Sequence, residues 1–140
     1  MKLIADNPIK SSAEAQKSSK NVLSLANDAD PRQHKLDGVD VVALHFPKFS
    51  DGRAFSQAFL LRRRLGFAGT IRATGEVLVD QLLQMQRAGF TEAVLSPGQD
   101  AAVGQRLLGY YAQRCGGFYQ GDAVATAPKF QRTSASQEHA

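Results

Sequence analysis

The chain has one cysteine, Cys115, and no tryptophan. A lone cysteine excludes an internal disulfide, and it excludes an iron–sulfur cluster or zinc site built from several cysteines of one chain. Cys115 falls at an expected helix end, just before Gly116-Gly117. A helix C-terminus gives a thiolate no electrostatic help, so Cys115 reads as a small packing side chain rather than a nucleophile. Long apolar runs are also missing: none approaches the roughly 18 residues of a membrane span. Met1-Lys2-Leu3-Ile4 is too short for a signal-peptide core, and Asp6, Asn7 and Pro8 follow at once. A cytoplasmic protein with no membrane partner is the expectation. There is no Gly-x-Gly-x-x-Gly, no P-loop, no Gly-x-Ser-x-Gly elbow and no His-Glu-x-x-His. A self-contained nicotinamide, nucleoside-triphosphatase or zinc-hydrolase reading loses its support, and no resident cofactor or metal is expected.

What is present points to one globular domain. The 140 residues are 43% hydrophobic, which is enough for a core, and carry a formal net charge of +4. Part of that charge sits in Lys2, Lys10, Lys17 and Lys20 of a Ser/Lys-rich N-terminus, which reads as a flexible lead-in over residues 1–20 with at most a short strand at Leu3-Ile4. Nucleic-acid binding would call for cations interleaved with aromatics, or for a recognisable module, and neither is found. The domain proper is expected over residues 21–118, followed by a polar tail over 119–140.

The domain is organised around Phe46-Pro47-Lys48-Phe49-Ser50-Asp51-Gly52-Arg53. Residues 39–46 before it are almost continuously apolar, as in a strand covered on both faces. Pro47 cannot donate to a strand ladder and ends the strand. Ser50 or Asp51 then offers an oxygen to the first turn of a helix over 52–65, whose Ala54, Ala58, Leu61 and Leu65 share one face. Arg62-Arg63-Arg64 falls in its last turns, where cations suit the helix dipole, and Gly66 is the left-handed cap.

The same alternation repeats along the chain. A strand at 21–26 leads to a turn with Asp30 as cap and Pro31 at the first helical position. A strand at 70–74 leads to a helix at 77–88 closed by Gly89, and a strand at 92–96 to a helix starting at Asp100. Four strand–helix units in alternation predict an α/β fold with a small parallel sheet, either an open doubly wound sheet or a half-barrel-like one. Two sheet edges need protection, so a homo-oligomer is expected, with Phe49 or Phe118-Tyr119 as apolar contacts.

Ligands bind at the carboxyl edge of parallel sheets. His45, Lys48, Ser50, Asp51, Arg53, Thr74, Glu76, Asp80 and Ser96 are expected there. Lys48, Ser50 and Arg53, with Arg72 of the third strand, form the candidate anion-binding set, because cations and the amides of a helix start suit an oxyanion. Asp51, His45, Glu76 and Asp80 are the candidate acid–base groups. Glu76 and Asp80, four apart, are expected on one helix face, and Asp51 with Arg53 reads equally well as a structural ion pair.

Phe46 to Arg53, together with Phe55-Ser56-Gln57-Ala58, Leu60-Leu61-Arg62, Leu65-Gly66, Ile71-Arg72-Ala73, Gly75, Asp80-Gln81 and Arg87-Ala88-Gly89-Phe90, resembles a bacterial family of domains of unknown function, number 934. The resemblance runs over about residues 21–115. Members are described as oxidoreductases involved in sulfite reduction, so the resemblance implies a pathway and sulfite reductase as a partner; it supplies no catalytic residues. Sulfite reduction moves six electrons through haem and iron–sulfur centres. One cysteine cannot hold the usual cluster, so an accessory protein of sulfite reduction that binds a sulfur oxyanion is the expectation. The alternative is a small α/β enzyme acting on an anionic substrate at the loop from Lys48 to Arg53.

Overall fold

The computed structural model describes residues 1–5 and 20–114, with side chains to residue 110. Cys115, the Gly116-Gly117 stop, Phe118-Tyr119 and the tail lie outside the described residues. Five strands, β1 (Lys2–Ala5), β2 (Val22–Leu25), β3 (Val41–Phe46), β4 (Thr70–Gly75) and β5 (Glu92–Leu95), form one sheet in the order β1-β5-β4-β3-β2. Every pairing is parallel. The helices are α1 (Arg53–Phe59), α2 (Leu82–Ala88) and α3 (Ala101–Arg114). The fold is therefore α/β, as the alternation predicts. Strands β2 to β5 lie side by side in chain order, so the steps between them all run one way across the sheet, as in a half barrel. The step from β1 to β2 runs the other way, from the edge beside β5 to the opposite edge.

Among the described residues the sheet has five strands rather than four. Lys2–Ala5, expected at most as a short strand in a flexible lead-in, pairs along β5 from Lys2 with Glu92 to Ala5 with Leu95. The sheet thus begins well before residue 21. Four residues carry too little pattern to announce a strand, and their partner lies at the far end of the domain.

Side chains alternate across each strand. Leu25, Val42, Leu44, Phe46, Ile71, Ala73, Ala93 and Leu95 share one face and join one core with Ala54, Ala58, Leu61, Leu82, Met85 and Leu108 of the helical segments. Phe46, Phe55 and Phe90 meet edge-on or tilted, with centroids 5.2 to 6.2 Å apart, geometries that suit aromatic quadrupoles. Val41 and Ala43 are buried outside that cluster, on the opposite face. The continuous apolar run of β3 follows from this: both of its faces are covered, and only His45 is exposed.

Local signals place most helix boundaries. Asp30 accepts from Arg32 N at 2.9 Å, and Pro31 opens a 3-10 turn over Pro31–Gln33. Asp100 accepts from Ala102 N at 2.8 Å ahead of α3. Gly66 and Gly89 take positive φ after their helices. After α1 the helix widens into a π turn over Leu60–Arg64, with Leu65 N donating to Leu60 O at 3.0 Å. The expected helix at 77–88 starts later, with a 3-10 turn over Val79–Gln81 leading into α2, because Val77 is buried and its N–H donates to Ser96 Oγ.

The arginine triplet is not simply a dipole-complementing cluster. Arg62 is half-buried and donates to Gly89 O at 2.9 Å, Phe67 O at 2.7 Å and Gly69 O at 2.7 Å. It clasps the end of the first helical segment to the approach to β4 and to the cap of α2. Burial lowers its pKa, yet a guanidinium stays charged in proteins.

Candidate functional site

Pro47 ends β3 as its missing N–H requires, and the chain turns with Asp51 N donating to Lys48 O at 3.0 Å. The Asp51 carboxylate then accepts four hydrogen bonds: Arg53 N at 3.2 Å, Arg53 Nε at 3.1 Å, Arg53 Nη2 at 2.8 Å and Asn27 Nδ2 at 2.6 Å. Glu76 accepts from Phe49 N at 2.7 Å, and Gln81 Nε2 donates to Phe49 O at 2.8 Å. The loop after β3 is thereby held from the β2 side by Asn27 and from the β4 side by Glu76 and Gln81. A second tie lies beneath it: Gln57 of α1, only 4% exposed, donates to Ala26 O and Ala29 O, both at 2.7 Å.

These contacts redistribute the expected site residues. Arg53 is held by Asp51 in a two-pronged pair, and Arg72 donates from Nε to Glu92 at 2.8 Å. Lys48 and Ser50 are exposed, and Lys48 makes no ion pair among the described residues. Ser96 is structural, accepting from Val77 N at 2.9 Å and donating to Gly75 O at 3.2 Å. Glu76 and Asp80 do not share a helix face: Leu78 between them is extended, at φ −107° and ψ 150°, so Glu76 precedes the helix and serves the Phe49 amide. Asp80 is exposed in the first turn of that helix.

The cavity lies beside this loop. A pocket of about 370 Å³ is lined by Ser24, Leu25, Ala26, Ala43, His45 and Thr74. Parallel register builds it, since Ser24 pairs with Ala43 and His45 with Thr74. Ser24, Ala43, His45 and Thr74 thus stand on adjacent strands of the face opposite the helices, toward the carboxyl edge. His45 Nδ1 is 3.4 Å from Thr74 Oγ1. His45 and Thr74 are expected at this edge from sequence; Ser24 is missed, although its alternation with Leu23 and Leu25 already sets it on the face away from the core.

The hydrogen bonds from the Arg53 side chain, and then from its backbone N–H, lower the Asp51 pKa from 3.8 to about 2. The unfolded chain binds this proton more readily than the folded one. The stabilisation is complete above the unfolded value of 3.8 and is lost as pH falls through the folded value of about 2. In acid titrations followed by circular dichroism, wild type is therefore expected to be more stable than Asp51→Asn above this window. The difference should shrink steadily through it. A gap that is unchanged at the acid end would show that the carboxylate charge is not what holds the loop.

The structure thus defines a parallel α/β domain with helices packed on one face of the sheet and, on the other, a mainly apolar pocket toward the carboxyl ends of β2, β3 and β4 that carries Ser24, His45 and Thr74. Residues 22–130 match the model of a bacterial protein family of unknown function, DUF934. The match covers most of the chain, and the chain belongs to that family. No curated protein and no solved structure matches it.

Proposed function

We propose that this protein binds a small oxyanion in the pocket at His45 and serves assimilatory sulfite reduction as a non-catalytic partner of sulfite reductase. One observation carries the binding reading: Ser24, His45 and Thr74 converge on a concave site at the carboxyl edge of parallel strands, where α/β domains take their ligands. Hydroxyls and an imidazole can all hydrogen-bond an oxyanion. Lys48, on the loop that follows β3, adds positive charge at this end of the sheet, whereas the charge of Arg53 is offset by Asp51. The pathway comes from the description that accompanies the family resemblance. The enzyme alternative would rest on the loop itself, and it is less favoured because Asp51 and Arg53 are committed to each other.

Titration calorimetry with sulfite and phosphate tests the binding reading. Wild type is expected to bind at least one of them, and His45→Ala to bind on the order of tenfold more weakly, the cost of one lost hydrogen bond to a charged ligand. Binding of neither anion by wild type would overturn it. Co-purification with the sulfite reductase subunit, and failure of a deletion strain to grow on sulfate but not on cysteine, are the expected results for the pathway. Normal growth on sulfate would remove it.

A further inference from the structure

The Thr74 hydroxyl has two neighbours, Leu44 O at 3.3 Å and His45 Nδ1 at 3.4 Å. It has one proton to give. The structure directs that proton to Leu44 O, which leaves the Thr74 lone pairs to face the imidazole. With the proton so placed, the contact between the two side chains is a hydrogen bond only in the tautomer that donates from His45 Nδ1. In a neutral ring the proton on Nδ1 leaves Nε2 as a bare acceptor. The ring is also confined. Gly75 has a φ of +88°, and a Cβ built there would lie 2.7 Å from His45 Cε1 and 2.9 Å from Nδ1. The imidazole therefore packs against a backbone that only glycine leaves clear.

An acceptor at this place in the pocket constrains the ligand. Resting on the oxyanion reading above, we infer that the site selects an oxyanion that carries its own proton, of the hydrogenphosphate or hydrogensulfite type, over a fully deprotonated one such as sulfate. The ligand's hydroxyl donates to His45 Nε2, and the Ser24 hydroxyl, exposed in the same pocket, donates to another ligand oxygen. Sulfate would set an oxygen lone pair against the Nε2 lone pair, and a mismatched polar pair of this kind is what sites use to discriminate strongly between isosteric ligands. Thr74 is a positioning residue in this scheme: it fixes which ring nitrogen is bare, and it need not touch the ligand.

Phosphate and sulfate at pH 8 make a clean pair, because both are tetrahedral dianions and only one bears a hydroxyl. Calorimetry on the full chain should show phosphate binding more tightly than sulfate by on the order of tenfold. Nitrogen-15 NMR of the histidine rings should find His45 in the form protonated at Nδ1. Thr74→Val should erase the preference and mix the two tautomers, while Thr74→Ser restores both. Equal binding of the two anions, or tighter binding of sulfate, would overturn this inference and leave oxyanion binding standing. Binding of neither would overturn both. A ring protonated at Nε2 in wild type would overturn the inference whatever the affinities.

Discussion

Gly75→Ala is expected to destabilise the protein by about 2–5 kcal/mol, the sum of a backbone cost and a packing cost. The first part is the left-handed backbone, φ +88°, which costs a residue with a Cβ roughly 1–2 kcal/mol. The rest is crowding. The new Cβ would stand 2.2 Å from the Phe46 carbonyl oxygen, and that oxygen already accepts from Glu76 N at 2.8 Å. Backbone at the end of β3 cannot step aside as a flexible side chain would, and overpacking of this kind costs about 1–3 kcal/mol. Gly38→Ala isolates the first part, since Gly38 has φ +73° and nothing within 4 Å of its would-be Cβ. Urea unfolding of the two variants should show Gly75→Ala losing clearly more. Equal losses would mean that the strand end yields where we expect it to resist. The variant should also displace the His45 ring, so ligand binding should weaken even at temperatures where the fold survives.

Arg62→Ala is expected to cost about 2–4 kcal/mol. The change strands three carbonyl acceptors, Gly89 O, Phe67 O and Gly69 O, and hydrogen bonds from charged donors are each worth about 1.5–3 kcal/mol before non-additivity reduces the sum. The stacking of the guanidinium on Phe67, 5.9 Å from the ring centroid, goes too. Arg62→Lys should recover only a part, because an ammonium cannot hold three acceptors in the plane of a guanidinium fork. Arg64→Ala, on an exposed neighbour, should stay within about 0.5 kcal/mol. Thermal melts that place Arg62→Ala and Arg64→Ala together would show that the clasp contributes nothing.

The contrast between these two arginines marks where sequence reading stops. Three consecutive arginines at a helix end look alike as letters, and helix-dipole complementarity accounts for them all. Which one turns inward depends on the π turn at Leu60–Arg64 and on the cap of a helix more than twenty residues away. Local signals fared better. Pro47, the Asp30-Pro31 pair, Gly66, Gly89 and Asp100 act through their own backbone or through neighbours two residues off, and the structure uses each as its chemistry dictates. The β3 run reads as a strand covered on both faces because that burial leaves its trace in every residue. The candidate site was legible only in outline. His45 and Thr74 could be placed at the carboxyl edge from the strand pattern, but the roles of Asp51, Arg53 and Glu76 as ties within the loop are set by register and by contacts across the sheet. Ser24 reaches the pocket only because β2 lies beside β3 in the register that pairs it with Ala43.

The pairing of Lys2 with Glu92 has a kinetic meaning as well. Strands β2 to β5 meet neighbours in chain order, each after one short crossover, so their contacts close small loops. The β1–β5 ladder instead closes a loop containing nearly the whole domain, and its entropy must be met before any of its hydrogen bonds form. The first residues of the chain are therefore expected to be the last to join the sheet. Until they do, β5 presents an unpaired edge to any other chain in the same state, and the short segment Lys2–Ala5 is what withdraws that edge from self-association.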